Sequence, residues 1–475
     1  MERWSSRFGF LAATTGAVVG PAAVWTFPLV VGQSGGGAYF LPFLLTAFAF
    51  AVPLVTLELS VGQTLHCDVV TAFSSIRPEF EALGWVVAAA AALVSSYYLV
   101  LTGWVCAFFV ASLLGTPLGF DWFTGTYWPV LSFALATVAT GGVVALGVRR
   151  GIERFATVAV PTAVLLLLAL VAYATTLSGF DAGLSSFLAP DLAALSDPLV
   201  WATAAGHAFV SLSVGRGVIL TYAQYFDGRT DAVSASVLVT VVAVAVGVLS
   251  GLLVFPVLVT SGVDATVGTE LAFSTLPATL SGTPFGGVAT AAFFAVLSLT
   301  ALSSAVALFE VGVSAVLARS ERSRSVVAGG VTAGIFVLGL PGALSYSAVS
   351  VTAFGVPVLD LVDTTVGTFS LPLTAVLVSV AFTWFQESLS VEAQVSVPSL
   401  RFLLRYAVPT VLAGAVGLHL WVRSGFLGWH LLPNARPPEN APEAVGVALV
   451  LTGLLLVGGA LVAYRARRRA ARRRS

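Results

Sequence analysis

The chain has 475 residues, of which 58% are hydrophobic and only 9% charged, with 22 basic residues against 22 acidic ones. A soluble domain carries about 25% charged residues, so this composition excludes a soluble globular chain and a disordered one. The neutral balance excludes the electrostatic footprint of a nucleic-acid binder. Every basic side chain is Arg and none is Lys. That removes the phosphate-loop lysine and any Schiff-base lysine, so an ATP-driven pump of the usual kind is not expected. Any energy source is then a gradient. Two cysteines (Cys67, Cys106) and four scattered histidines (His66, His207, His419, His430) build neither a disulfide scaffold nor a Cys/His zinc cluster. With no HExxH and no GxSxG in a plausible setting, the chain is not read as an enzyme.

The apolar residues come in runs of about 20, long enough to cross a hydrocarbon core of roughly 30 Å. The first run is too long for a cleaved signal and is interrupted by Gly16, Gly20 and Pro21. In chain order the runs predict twelve spans over 8–31, 38–65, 82–114, 127–147, 153–177, 198–226, 232–260, 285–318, 325–344, 353–384, 401–423 and 443–465. A short amphipathic segment near 266–281 is expected outside the membrane. Twelve spans place both termini on one side, and that side receives 19 of the 22 arginines, including the seven of the tail from Arg465 to Arg474. The asymmetry predicts cytoplasmic termini in a multi-pass protein of the cell membrane. The tail reads first as a topology anchor, and more specifically as a contact for anionic lipid headgroups of the bilayer.

Two spans carry unusual backbone at mid-depth. The first reads TTGAVVGPAAVWTFP and the sixth GHAFVSLSVGRGVI, with Ser211, Ser213, Gly215 and Gly217. Proline removes a helical hydrogen bond and glycine weakens a helix by about 1 kcal/mol relative to alanine. In lipid the freed groups must find protein, water or an ion. Five spans separate the breaks, so they hold corresponding places in two five-span halves, which points to a transporter binding site between them. Span eight adds Thr300, Ser303, Ser304 and Glu310. Hydroxyls beside freed carbonyls make a neutral oxygen cage suited to a small monovalent cation, and the absence of an adjacent carboxylate argues against a divalent one. The same hydroxyls also have a plain reading as bonds to preceding helical carbonyls.

The stretches RFGFLAATTGAVVGPAAVWTFPLVVGQSGGGAYFLPF, RGIERFATVAVPT (151–163), PDLAALSDPLVWATAAGHAFVSLSVGRGVILTYAQY (190–225), LTALSSAV (299–306) and RYAVPT (405–410) resemble the neurotransmitter:sodium symporter family, particularly its bacterial and archaeal amino-acid transporters. The resemblance implies an all-α integral membrane protein of twelve helices with the leucine-transporter-like fold. Its 5+5 inverted repeat would comprise 1–180 and 190–386, with helices one and six broken, followed by two further helices and the Arg-rich tail over 400–475. It implies one sodium site made of the carbonyls of Gly16, Val19 and Thr300 with the hydroxyls of Ser303 and Ser304. It implies a substrate pocket lined by Ala17, Val18, Pro21, Ala22, Val94, Tyr98, Val210, Ser211, Ser213, Arg216, Ser304 and Leu308, with Tyr98 closing over a substrate carboxylate.

The departures from the family are as informative. Two asparagines of its second sodium site stand here as Ala23 and Ala243, and two chloride-site residues as Phe43 and Gly247, so neither of those ions is expected. The outer-gate arginine of span one is Thr26, while its partner Asp363 remains. At the inner gate the arginine position is Met1, though Arg3 is close, and the aspartate position is Ala318, so other contacts must close it. Arg216 replaces an aromatic of the pocket, and a charge at mid-membrane is functional by default. It is expected to supply the positive charge of the lost sodium and bind the substrate carboxylate, or else to pair with Asp363 or Glu310. His207 replaces a glutamine and either carries a proton or counter-charge or is a satisfied interior hydrogen-bonding group. Asp363, His207 and Glu310 are the gating and coupling candidates, and Glu58 is expected to cap a broken helix or line the inner path.

The sequence thus predicts a sodium-coupled symporter of a small amino acid or related carboxylate, working by alternating access with one sodium ion. Two alternatives stay open at this point. One is a proton-coupled or ion-independent transporter of the same fold, and the other a non-transporting solute sensor or accessory subunit. Oligomeric state is not legible.

Overall fold

A computed structural model describes residues 2–116, 118–226, 231–262, 271–385 and 402–414. In a bilayer a helix satisfies its own backbone, and the Ala/Val/Leu-rich runs fold accordingly. Among the described residues eight helices are long and apolar enough to cross a membrane: Gly37–Leu65, Pro78–Leu113, Trp128–Ala145, Val148–Ala174, Ala232–Thr260, Gly286–Leu317, Arg324–Ser345 and Val358–Trp384. They correspond to the expected spans two to five and seven to ten. Span one is a bent pair, Arg7–Val18 and Ala22–Gln33, with a 58° angle at the break. Span six is likewise two helices, Pro198–Ser211 and Val218–Ala223. The start of span eleven is helical over 402–414. The expected twelfth span, the arginine tail and most of 400–475 lie outside the described residues. The chain is an all-α, multi-pass membrane protein.

Local chemistry sets the helix ends. Ser6 caps span one by accepting the Gly9 amide, Asp68 caps the short helix Val69–Ile76, Asp197 caps span six and Asp231 caps span seven. The outer segment expected near 266–281 is helical over Leu271–Ser281. The expected tenth span begins late. Residues 352–357 form a two-stranded hairpin, Thr352–Ala353 against Val356–Pro357, turned through Phe354 and Gly355 at positive φ, and the helix starts at Val358. An apolar run with a Gly turn is ambiguous between the two structures in sequence.

Burial orders the spans. In the most apolar stretch of span eight 83% of residues are buried, against 28% in span five and 33% in span nine. Span eight is therefore the central post, packed along span three and beside both breaks, while spans five and nine face lipid. Hydroxyl pairs such as Thr56 and Ser236, 2.7 Å apart, tie span two to span seven.

Candidate functional site

The break in span one follows from its donors. Pro21 has no N–H, so the Ala17 carbonyl loses its helical partner and accepts the Ser213 hydroxyl of span six at 3.1 Å. The Gly20 amide turns to Val18 instead of Gly16, and the Ala23 amide turns to Gly20 instead of Val19. The carbonyls of Gly16 and Val19 are thereby released from the helical ladder. The Ser304 hydroxyl donates to the Gly16 carbonyl at 3.0 Å. Ser303 donates to Leu299 at 2.8 Å, and Thr300 to Val296 at 2.9 Å. A small cavity is lined by Thr15, Gly16, Val19, Thr300 and Ser303 and otherwise walled by apolar residues of spans five, seven and eight. A side chain at Gly16 would place its Cβ 2.7 Å from a Val160 methyl and 3.0 Å from Ser303 Cβ, so only glycine lets spans one and eight approach this closely. The five expected sodium residues are brought together. Two hydroxyls and released carbonyls around a water-sized space fit a small alkali cation, with no carboxylate to favour a divalent one.

The break in span six uses left-handed backbone: Ser213, Gly215 and Gly217 have φ of 51°, 80° and 71°. Glu58, fully buried, accepts the Gly215 amide at 2.6 Å and thus caps the unwound turn, as one of its two expected roles. Between the two breaks lies a cavity of about 190 Å³. It is smaller than the roughly 300–1,000 Å³ of drug-sized sites and so suits a small metabolite. Val18, Pro21, Ala22, Tyr98, Val210, Ser211, Ser213, Arg216 and Ser304 all line it. Ala17, Val94 and Leu308 are buried but do not line it. Thr26, Tyr97, Thr102 and Asp363 also line it. Tyr97 was not singled out from sequence, although its place beside Tyr98 in SSYYLV was the available signal. The Tyr98 hydroxyl and the Arg216 Nε are buried without a hydrogen-bond partner.

Arg216 makes no ion pair within 4 Å among the described residues. Pairing with Glu310 does not occur, because Glu310 is ion-paired to Arg324 and accepts the Tyr225 hydroxyl at 2.6 Å. Nor does Arg216 line the place of the second sodium. That place is a separate small cavity lined by Ala23, Phe27, Phe43, Ala47, Ser211, Leu212, Ala243, Val244 and Gly247, in which Ser211 alone carries a side-chain oxygen. His207 lies beside this apolar region, between the rings of Phe27 and Phe43 and 3.4 Å from the Tyr39 hydroxyl.

The contacts of the N-terminal segment were not legible in sequence. Trp4 Nε1 donates to the Tyr222 carbonyl at 2.8 Å, and Ser5 donates to Glu153 through both its amide and its hydroxyl. Arg324, whose side chain is 11% exposed, joins the buried Glu310, Glu2 at 3.2 Å and the Val144 carbonyl at 2.8 Å. A further pair, Arg319 with Asp68, lies 2.9 Å apart. These contacts pin the N-terminal segment to spans five, six, eight and nine where the arginine–aspartate gate is missing.

The profile of the sodium:neurotransmitter symporter family matches residues 1–128 and 123–397. An uncharacterized sodium-dependent transporter of Bacillus subtilis (strain 168), YhdH, is 31% identical over 390 residues, covering 79% of this chain and 86% of that protein. An uncharacterized sodium-dependent transporter of Methanocaldococcus jannaschii is 30% identical over 412 residues, covering 81% and 82%. The crystal structure of MhsT in complex with L-phenylalanine superposes with a TM-score of 0.79 at 30% identity, covering 88% of this chain and 99% of that one. With broken helices one and six around a central cavity, and these matches along most of its length, the chain belongs to the sodium:neurotransmitter symporter family of sodium-dependent transporters.

Proposed function

We propose that the chain imports a small amino acid or related carboxylate together with one sodium ion, by alternating access across the cell membrane, with both termini in the cytoplasm. The observation that carries this reading is the Ser304 hydroxyl on the released Gly16 carbonyl across spans one and eight, beside a small cavity that Gly16, Val19, Thr300 and Ser303 line. An ion held there bridges two elements that must separate when the inner side opens, so its affinity differs between states. That difference is what couples its gradient to the solute. The bare Ala23–Ala243 cavity supports one ion rather than two, and Phe43 and Gly247 in its wall offer nothing to a chloride. The solute carboxylate is received by the unpartnered donors of the central cavity. Residues 1–180 and 190–386 form the two halves that rock about it.

The test is uptake into proteoliposomes, preceded by a thermal-shift screen of amino acids and organic acids in sodium and in potassium. Stabilisation by one class in sodium only, followed by sodium-driven uptake with a Hill slope near one, is expected. A slope near two contradicts the single ion. Uptake driven by a pH gradient without sodium contradicts the coupling, and binding without flux contradicts transport.

A further inference from the structure

Two unpartnered donors, the Tyr98 hydroxyl and the Arg216 Nε, face the central cavity. Building on the symport reading above, we infer that its solute is an acidic amino acid, with one carboxylate at Tyr98 and the second at Arg216. Tyr97 and Tyr98 are consecutive on span three, so their side chains diverge by about 100°. The Tyr98 hydroxyl points to the break in span one. A Cβ placed on Gly20 would lie 2.9 Å from it and 3.3 Å from the Ser304 hydroxyl. This end adjoins the sodium cage through the Ser304–Gly16 bond. The Tyr97 hydroxyl points the other way, to span ten. A Cβ on Gly367 would lie 2.7 Å from it and 2.9 Å from an Asp363 carboxylate oxygen. Arg216 lines the same cavity beside Asp363, and its charge acts on Tyr97, Tyr98 and Asp363 alike.

No acidic side chain among the described residues lies within ion-pair distance of Arg216. Glu58 holds the Gly215 amide through one carboxylate oxygen, Glu310 holds Arg324 and Tyr225, and Asp363 lies in the field of Tyr97 and Arg216. The guanidinium is left with a buried, unpartnered Nε and no ion pair among the described residues. An arginine at mid-membrane depth is costly unless it is paired. A solute whose one carboxylate is balanced by its own ammonium group leaves the guanidinium without a counter-charge. A second carboxylate supplies it, and the planar guanidinium can take it bidentately. Main-chain carbonyls at the two breaks remain as acceptors for the solute ammonium group.

The experiment uses the purified full chain in lipid nanodiscs, in sodium or potassium chloride. Binding of labelled L-glutamate and L-aspartate is competed by L-glutamine, L-leucine and succinate. Glutamate or aspartate is expected to bind in sodium roughly 100-fold tighter than glutamine, a scale set by leaving a buried polar group unpaired. Arg216→Gln should lose a similar factor for the acidic amino acid and narrow or invert the preference over glutamine. Arg216→Lys should retain part of it, and a preserved sodium-induced thermal shift in both variants shows that the fold is intact. Equal affinity for glutamine and glutamate, binding of uncharged amino acids alone, or unchanged glutamate affinity in Arg216→Gln overturns the acidic class while leaving symport standing. No sodium-dependent binding of any amino or organic acid overturns the symport reading and this inference with it.

Discussion

Two small cavities flank the break in span one, and their walls differ in one respect. The cavity between spans one and eight combines released carbonyls with the hydroxyls of Thr300 and Ser303, and Ser304 stands beside it. The cavity beside Ala23 and Ala243 adjoins the same broken helix, yet methyl groups and aromatic rings face most of it. A helix break supplies main-chain oxygens to whatever lies beside it. Side chains decide whether those oxygens become part of an ion site. In lipid, where no bulk water completes a coordination shell, a half-built cage has no value, so under the proposed symport the two cavities would diverge in function although their backbone origin is shared.

The comparison breaks most completely if the hydroxyls are removed. Ser303→Ala with Ser304→Ala deletes two ligands at about 1.5–3 kcal/mol each, so the sodium midpoint should rise roughly 100-fold or more. Sodium titration by thermal shift measures it, and an unchanged midpoint would place the ion elsewhere. Next in size is the latch below the cage. Arg324→Gln leaves Glu310 buried without its partner and should destabilise the inward-closed state by about 3–5 kcal/mol. Hydrogen exchange across residues 7–18 reads this directly, and undiminished protection would show that Trp4 and Glu153 hold the segment unaided. A smaller effect sharpens the contrast from the other side. Ala23→Asn with Ala243→Asn returns two side-chain oxygens to the bare cavity and should bring a second ion at a gain of about 1.5 kcal/mol, seen as a Hill slope moving from near one towards two. A slope that stays at one would mean that Phe27 and Phe43 close the space.

The smallest effect lies outside the membrane and serves as a control. Asp231 caps span seven, and the Ser234 hydroxyl and amide hold its carboxyl below the usual carboxylate range. Asp231→Ala should cost about 1 kcal/mol without altering sodium affinity. Because the folded pKa is the lower one, the unfolded chain binds this proton more tightly. The contribution is complete above the ordinary carboxylate pKa and disappears as the pH falls through the lowered value. Chemical unfolding of the wild-type chain and the variant from neutral to acid pH should therefore converge at the acid end.

How much was legible from sequence varies with the kind of interaction. Gly16, Gly20, Pro21, Gly215 and Gly217 announce their breaks because their backbone chemistry acts within one turn. Ser303 and Ser304 are readable as partners of span one only through the family resemblance, since local rules equally allow bonds to their own helix. Tyr97 escaped notice because nothing local distinguishes it from Tyr98. The Arg324–Glu310–Glu2 cluster joins positions up to 322 residues apart, read from its own residue numbers, and an arginine near a helix start otherwise reads as a topology signal.

By itself, then, the sequence determined that this is a polytopic helical membrane protein without lysine chemistry, interrupted at two corresponding depths. Those properties follow from composition and from steric rules acting over a few residues. Only the tertiary structure decided that Glu58 caps the second break, that Glu310 is taken by Arg324, and that Arg216 faces the central cavity with no ion pair among the described residues. Each is a contact between distant helices, and which acid reaches which base depends on how apolar surfaces pack before any charge is matched.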